Sequence, residues 1–303
     1  MGRFEHLERG VWGILPTPFT PELEVDLESV GTCVEFLLDR GATGVVALGV
    51  FGEAARLSSA EKRQVLRAAA EAAGDRPLVA GIDPLGTAPA AELAGDLAAS
   101  TPGLHAVMVK VPSSDAAVAG EHFASVSSAA GVGVIAQDYP RQSGVEIHPG
   151  ALREAVDRSG VCVAVKAEAV PSALAIARIA ANTDVPVFGG LGGVGLIDEL
   201  HAGAAGAMTG FSFPEGLRDT VDAYAAGGFA AAHAAWAPWL PMANFEGQLG
   251  IALAIRKELL RRRGAMTCAA VRPPAAKLPP EVVAGIEAHL ASAPSVSAGS
   301  GGA

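Results

Sequence analysis

Two ionisable residues stand two positions apart in an otherwise apolar run, Lys166 and Glu168 in VCVAVKAEAVP, residues 161–171. Side chains alternate along an extended segment, which predicts Val161, Val163, Val165 and Ala167 on one face and Cys162, Ala164, Lys166 and Glu168 on the other. A lysine on the inner face of a buried strand loses hydration, which favours its neutral amine and makes it a nucleophile toward a carbonyl, as a Schiff base requires. Glu168 opposes this, because a neighbouring carboxylate favours the ammonium form, and an ordinary ion pair is the competing reading of the same two residues. Lys110 in VMVKVP is a rival on the same grounds. Other polar residues close the ends of apolar runs: Glu53, the trio Gln137, Asp138 and Tyr139, and Thr209.

Eight short apolar runs bounded by Gly, Pro or polar residues read as the strands that would carry these groups: GVWGILPTPF, TGVVALGV, PLVAGI, AVMVKV, VGVIAQDY, VCVAVKAE, PVFGGL and GAMTGF. Helical stripes lie between them. In DLESVGTCVEFLLDRG the residues Val30, Val34, Leu37 and Leu38 form one face, and Gly41 follows as a stop. In SSAEKRQVLRAAAEAAG, Ser58 and Glu61 have capping-box spacing ahead of a stripe of Val65, Leu66, Ala69, Ala70 and Ala73. This alternation predicts an α/β fold, a (β/α)8 TIM barrel with extra C-terminal helices. An open doubly wound sheet is disfavoured, because no G-x-G-x-x-G follows the first strand and the length suits a barrel. Residues 1–215 are expected to form the barrel core through strand eight. Residues 216–291 are expected to form the last barrel helix and a helical extension, and the Gly/Ser/Ala-rich residues 292–303 a flexible tail. A barrel gathers its active site at the C-terminal strand ends, where the polar residues named above fall.

Composition narrows the partners. The 303 residues are half hydrophobic and 18% charged, which suits one large globular domain, and the net charge of −10 disfavours nucleic acid. The first residues lack the pattern of a secretory signal and no apolar stretch reaches membrane-spanning length, so a cytoplasmic location and no membrane partner are expected. Cys33, Cys162 and Cys268 are odd in number and far apart, and read as reduced core thiols. The seven histidines form no metal-binding spacing, so neither a metal nor another cofactor is expected.

Taken together, GILPTPFTPELEVDLESV, GVFGEAARLSSAEK, Pro112 followed by EHF, DYPRQSGV and VAVKAE give the chain a resemblance to the dihydrodipicolinate synthase and N-acetylneuraminate lyase family. That family comprises Schiff-base aldolases and lyases acting on pyruvate or related 2-oxo acids. The resemblance runs from about Gly10 to the final helices. It implies that Lys166 forms the imine, which demotes Lys110, and that the partners are a 2-oxo acid and an aldehyde. It also implies a homo-oligomer, dimer or tetramer.

The departures from the family pattern are informative. The strand-two signature, commonly Gly-Thr-Thr-Gly-Glu, is here Gly49-Val50-Phe51-Gly52-Glu53; both hydroxyls are gone, though backbone N–H groups of the Val50, Phe51 and Gly52 turn can still bind a carboxylate. Gln137 stands where the family has its catalytic tyrosine, and Tyr139 is either a displaced substitute or a loop residue. The relay tyrosine after strand four is replaced by the sequence Pro112-Ser113-Ser114. Gln142 occupies the position of the arginine that holds the synthase's second substrate, which argues against lysine-pathway synthase activity. Phe51 suggests a more apolar second partner. Glu168 and Asp138 become the candidates for proton transfer, and Gln137 a hydrogen-bond donor. Gly190 in GGLGG either lets the backbone approach an anion or serves a tight turn.

The expectation is therefore a carbon–carbon lyase or aldolase with Lys166, Gln137, Glu168 and Tyr139 as catalytic candidates. Val50, Phe51, Gly52, Asp138, Gln142, Gly190 and Thr209 are the substrate-binding candidates. A hydro-lyase or deaminase using the same imine, or a barrel that binds without turnover, are the alternatives.

Overall fold

Each of the eight apolar runs contains one strand in the computed structural model, which describes residues 4–181 and 183–294. The strands are β1 (Gly10–Ile14), β2 (Gly44–Ala47), β3 (Leu78–Ile82), β4 (Ala106–Lys110), β5 (Gly133–Asp138), β6 (Cys162–Ala167), β7 (Val187–Gly189) and β8 (Gly206–Thr209). Every strand pairs in parallel with the next, and β8 pairs with β1, so the sheet closes on itself. Closure is the outcome that leaves no edge strand unpaired.

The connecting helices are α1 (Leu27–Asp39), α2 (Ser59–Ala73), α3 (Thr87–Ser100), α4 (Ala116–Ala130), the single-turn α5 (Pro140–Ser143), α6 (Pro149–Ser159), α7 (Ser172–Ala180) and α8 (Leu196–His201). Past β8 follow α9 (Pro214–Trp236), α10 (Leu240–Glu246), α11 (Ala252–Arg262) and α12 (Pro280–Ser292). The stripe of α1 is buried at Val30, Val34 and Leu37, while Leu38 is half-buried. The capping box of α2 is complete: the Ser58 hydroxyl accepts the Glu61 N–H and the Glu61 carboxylate accepts the Ser58 N–H. Of the tail expected from residue 292, residues 295–303 lie outside the described residues. Among the described residues no helix is long and apolar enough to cross a membrane.

Two apolar layers result. Trp12, Ile14, Val46, Val79, Met108, Ile135 and Phe188 fill the barrel interior, and a larger cluster lies between the strands and the helices. One local feature departs from simple alternation. Cys162 pairs with Val134 but Ala164 pairs with Ile135, so Val163 is the extra residue of a β-bulge. Val163 and Ala164 both join the interior cluster, and Cys162 faces the helices. The expected faces of Cys162 and Val163 are therefore exchanged, whereas from Ala164 onward the alternation is as expected and Lys166 points inward. Cys33 and Cys162 are free and buried, and burial pushes both thiols up to about 12. Cys268 is also free but only half-buried, so it is not a core thiol.

The strand-two turn is tied to the C-terminal helices by charge. Glu53, buried and with a left-handed φ of 55°, is the hub. One carboxylate oxygen accepts from Lys257 of α11, and the other accepts from Arg56 and from the Arg272 N–H. Both charged side chains of the Glu53–Lys257 pair are fully buried. Removing Glu53 leaves the fully buried Lys257 ammonium without a carboxylate partner, so Glu53→Gln is expected to lower unfolding free energy by about 3–5 kcal/mol. In a denaturant titration the double variant Glu53→Gln/Lys257→Met is expected to regain most of that loss; an additive loss would contradict the pairing.

Candidate active site

Parallel pairing brings three polar side chains to one level. Lys110 of β4 is in register with Gln137 of β5, and Gln137 with Lys166 of β6. Each stands two residues beyond an interior residue, Met108, Ile135 and Ala164 respectively, so all three point toward the barrel axis. Lys166 is buried, and its Nζ lies 3.3 Å from Glu168 Oε2. Gln137 Nε2 donates to the same oxygen at 2.7 Å. The Leu191 N–H approaches the other oxygen at 3.5 Å. Glu168 is thus a buried carboxylate held from β5, β6 and the turn after β7. Gly190 makes room for it, since a Cβ there would lie 2.5 Å from Glu168 Oε1. This spatial role is neither the anion approach nor the tight turn considered for Gly190 from the sequence.

A cavity of about 820 Å³ opens above this group. Gly49, Val50 and Phe51 form one wall, Gln137, Tyr139, Lys166, Glu168 and Thr209 line it, and Val170, Leu174 and Leu249 form an apolar margin. The N–H groups of Val50 and Phe51 find no acceptor among the described residues, so they are free to receive an anion. Leu48 and Glu53, at the two ends of this turn, have φ of 58° and 55°. Left-handed non-glycine residues of this kind are strained, and their clustering beside a cavity is a common mark of a binding turn. Arg141, Arg178 and Arg256 also line the cavity, opposed by Glu146 and Glu168. This excess of cations favours an anionic ligand over the apolar partner that Phe51 suggested, and Phe51 itself faces Arg256, whose Cζ is 5.2 Å from the ring centroid.

Several candidates have other surroundings. Asp138 is adjacent to Gln137 on a strand and so faces the opposite way; it is in register with Ala167 of the outer layer, is buried and does not line the cavity. Neither of its carboxylate oxygens has a partner, and burial, with a further contribution from Glu168, pushes it up to about 6. Gln142 is exposed on α5 and lines a second, smaller cavity of about 380 Å³ together with Lys110 and Asp83. Gly52 does not line the main cavity; its carbonyl accepts the Thr17 hydroxyl at 2.6 Å. Thr209 accepts the Gly192 N–H at 2.8 Å, so that hydroxyl braces the turn after β7. Tyr139 lines the cavity, and burial followed by repulsion from Glu168 raises its phenol. Lys110 is half-buried, and desolvation lowers its amine while Asp83 opposes. The sequence reading missed Arg256, because a lone arginine on a helix past the barrel carries no local signal. Among the described residues no group of three or more His, Cys, Asp or Glu side chains could hold a metal ion.

Comparison with known proteins agrees with this architecture. The sequence profile of the Dihydrodipicolinate synthetase family matches residues 8–292. The chain is 29% identical over 285 residues to L-2-keto-3-deoxyarabonate dehydratase of Azospirillum brasilense, covering 90% of each chain. It is 32% identical over 288 residues to 4-hydroxy-tetrahydrodipicolinate synthase of Kineococcus radiotolerans, covering 91% of this chain and 90% of the relative. A crystal structure of dihydrodipicolinate synthase from Rhodopseudomonas palustris superposes with a TM-score of 0.87 at 29% identity, over 95% of this chain and 99% of that one.

The orphaned Asp138 carboxyl gives a pH test. Its folded value of about 6 exceeds the ordinary 3.8, so the fold prefers the neutral acid. The associated stability is complete below about pH 4 and is lost as pH rises through about 6. Asp138→Asn is expected to stabilise the protein at about pH 8 by up to ~3 kcal/mol and to have little effect at about pH 4. Glu199, which burial pushes up to about 7, leaves part of the pH slope in the variant. Melting curves across this range check the expectation; a stabilisation that does not grow with pH would contradict it.

Proposed function

The chain belongs to the Dihydrodipicolinate synthetase family, whose members are Schiff-base lyases, and from that premise we propose that it is a hydro-lyase acting on a 2-oxo acid through an imine at Lys166. One observation carries the reading: the Lys166 amine and the Glu168 carboxylate stand 3.3 Å apart inside the cavity, with Gln137 fixing the carboxylate.

The steps follow from the chemistry of these groups. The substrate carboxylate is received by the N–H groups of Val50 and Phe51, which sets C2 against Lys166. Glu168 takes one proton from the ammonium and the freed amine attacks C2; a second proton passes from nitrogen to the new alkoxide, and the Glu168 proton then goes to the hydroxyl so formed, so that one water leaves and an iminium remains. Glu168, again a carboxylate, then removes a proton from C3 and the iminium accepts the electron pair, giving an enamine. The enamine expels the C4 hydroxyl, which takes a proton from Tyr139 and leaves as the second water. One water hydrolyses the new iminium, releasing the product and restoring the ammonium, and the C3 proton held by Glu168 returns to the Tyr139 phenolate. Gln137 acts through Glu168 and is a positioning residue.

Carbon–carbon cleavage, the expectation from sequence, uses the same imine but requires a base at the C4 hydroxyl. Tyr139 is poorly suited to that, because burial and Glu168 keep its phenol protonated. A protonated phenol suits the departure of a hydroxyl instead. The dehydratase relative of Azospirillum brasilense supports the same preference.

Borohydride reduction with pyruvate, followed by peptide mass mapping, is expected to label Lys166, and Lys166→Ala to lose the label. Glu168→Gln is expected to slow adduct formation without preventing the label at Lys166 on long trapping, while turnover of 2-oxo-3-deoxy sugar acids falls by about 10²–10⁴-fold. Mass spectrometry of the products separates the reactions: loss of one water supports elimination, whereas release of pyruvate with an aldehyde would replace it by cleavage.

A further inference from the structure

Arg256 lies on α11, outside the ring of strand ends, yet its side chain lines the main cavity. It is 12% exposed, and its Nε donates to Glu246 Oε2 at 3.2 Å. Glu246 is fully buried and already engaged, since its two oxygens accept the Ser212 N–H at 3.2 and 3.1 Å. The Phe51 ring lies within cation–π distance of the guanidinium, at 5.2 Å. Nε therefore has its acceptor, while Nη1 and Nη2 find none among the described residues. Neither Nη atom is among the fully buried unpartnered atoms of the described residues, so both face the open cavity, where a ligand can supply the acceptor. The planar fork of a guanidinium matches a carboxylate through two parallel hydrogen bonds.

Gly192 sets how far this fork stands from the reacting centre. A Cβ on Gly192 would lie 2.5 Å from Arg256 Nη2, and the preceding residue, Leu191, directs its N–H toward Glu168 Oε1 at 3.5 Å. Glu168 and Arg256 thus lie on either side of one tight turn, Leu191–Gly193, and touch its consecutive residues Leu191 and Gly192. Lys166, Glu168 and Arg256 line the same cavity, so one short 2-oxo acid with C2 at Lys166 has Arg256 within the same pocket. Arg141 and Arg178 line the cavity but are exposed, so they add long-range attraction and no fixed geometry.

We propose that Arg256 is a specificity-determining residue that receives a second carboxylate at the far end of the substrate, so that the site prefers 2-oxo dicarboxylates. The inference rests on the Lys166 reading for the position of the near end.

Calorimetric titration of the full chain with 2-oxoglutarate and with 2-oxopentanoate, which differ only in the distal carboxylate, tests it. The dicarboxylate is expected to bind about tenfold or more tightly, and Arg256→Gln to bring the ratio close to one. Because that variant removes the counter-charge of Glu246, Arg256→Gln/Glu246→Gln is measured beside it and is expected to show the same collapse. A ratio near one in the unaltered protein, or a ratio that survives in either folded variant, overturns the proposal. Binding needs no imine, so borohydride trapping with pyruvate on the same samples reports on Lys166 alone. Loss of trapping with the ratio intact would remove the imine reading, and trapping without a ratio would remove the role of Arg256.

Discussion

The buried pair between Glu53 and Lys257 holds the two ends of the site in one geometry. Glu53 closes the turn that presents the Val50 and Phe51 N–H groups, and Lys257 is the neighbour of Arg256 on α11. Lys257 has Glu53 as its one carboxylate partner among the described residues, so without Glu53 its buried ammonium would face desolvation without a counter-charge. Lys257 also donates to the Ala270 carbonyl, and Arg272 bonds back to Leu23, Arg56 and Glu61, so the chain after α11 is fastened across the mouth of the barrel. The C-terminal helices thereby become part of the cavity wall.

Behind the cavity wall the electrostatic character is the opposite, an excess of carboxyl groups in a small volume around Glu168. Glu168 has Lys166 and Gln137 as partners, while Asp138 and Glu199, on the outer side of the same strand ends, are each pushed up partly by Glu168. Gly189 and Gly190 make this crowding sterically feasible, since a Cβ on the first would strike the Glu199 carboxylate and on the second the Glu168 carboxylate. Two consecutive glycines at the end of β7 thus place one acid on each side of a single backbone. The charge on Glu168 favours neutral neighbours, and its own pairing is directed to the lysine that lies in the cavity.

Much of the fold was legible in the sequence. Parallel strands buried on both faces must be apolar runs, and the chain must turn at their ends, so Gly, Pro and polar residues mark all eight of them. The capping box at Ser58 and the stripe of α1 are equally local, set by hydrogen bonds and contacts within four residues. Lys166 pointing inward follows from alternation as well. The same rule separates Gln137 from Asp138, which cannot share a face when they are neighbours on a strand; grouping both at the site disregarded it.

What the sequence could not settle depends on neighbours distant along the chain. The bulge at Val163 exists because β6 must match β5 in register, and a single strand contains no sign of that mismatch. Gln142 faces the smaller cavity because α5 turns it away, a direction decided by the path of the loop after β5. Arg256 enters the cavity because Glu246, Ser212 and Lys257 dock α11 against the strand ends. Local preferences therefore determined the strands, the helices and the inward lysine, since those arise from contacts between near residues. The tertiary structure alone decided which charges share the cavity with that lysine, because those contacts form only once the barrel has closed and the C-terminal helices have packed on it.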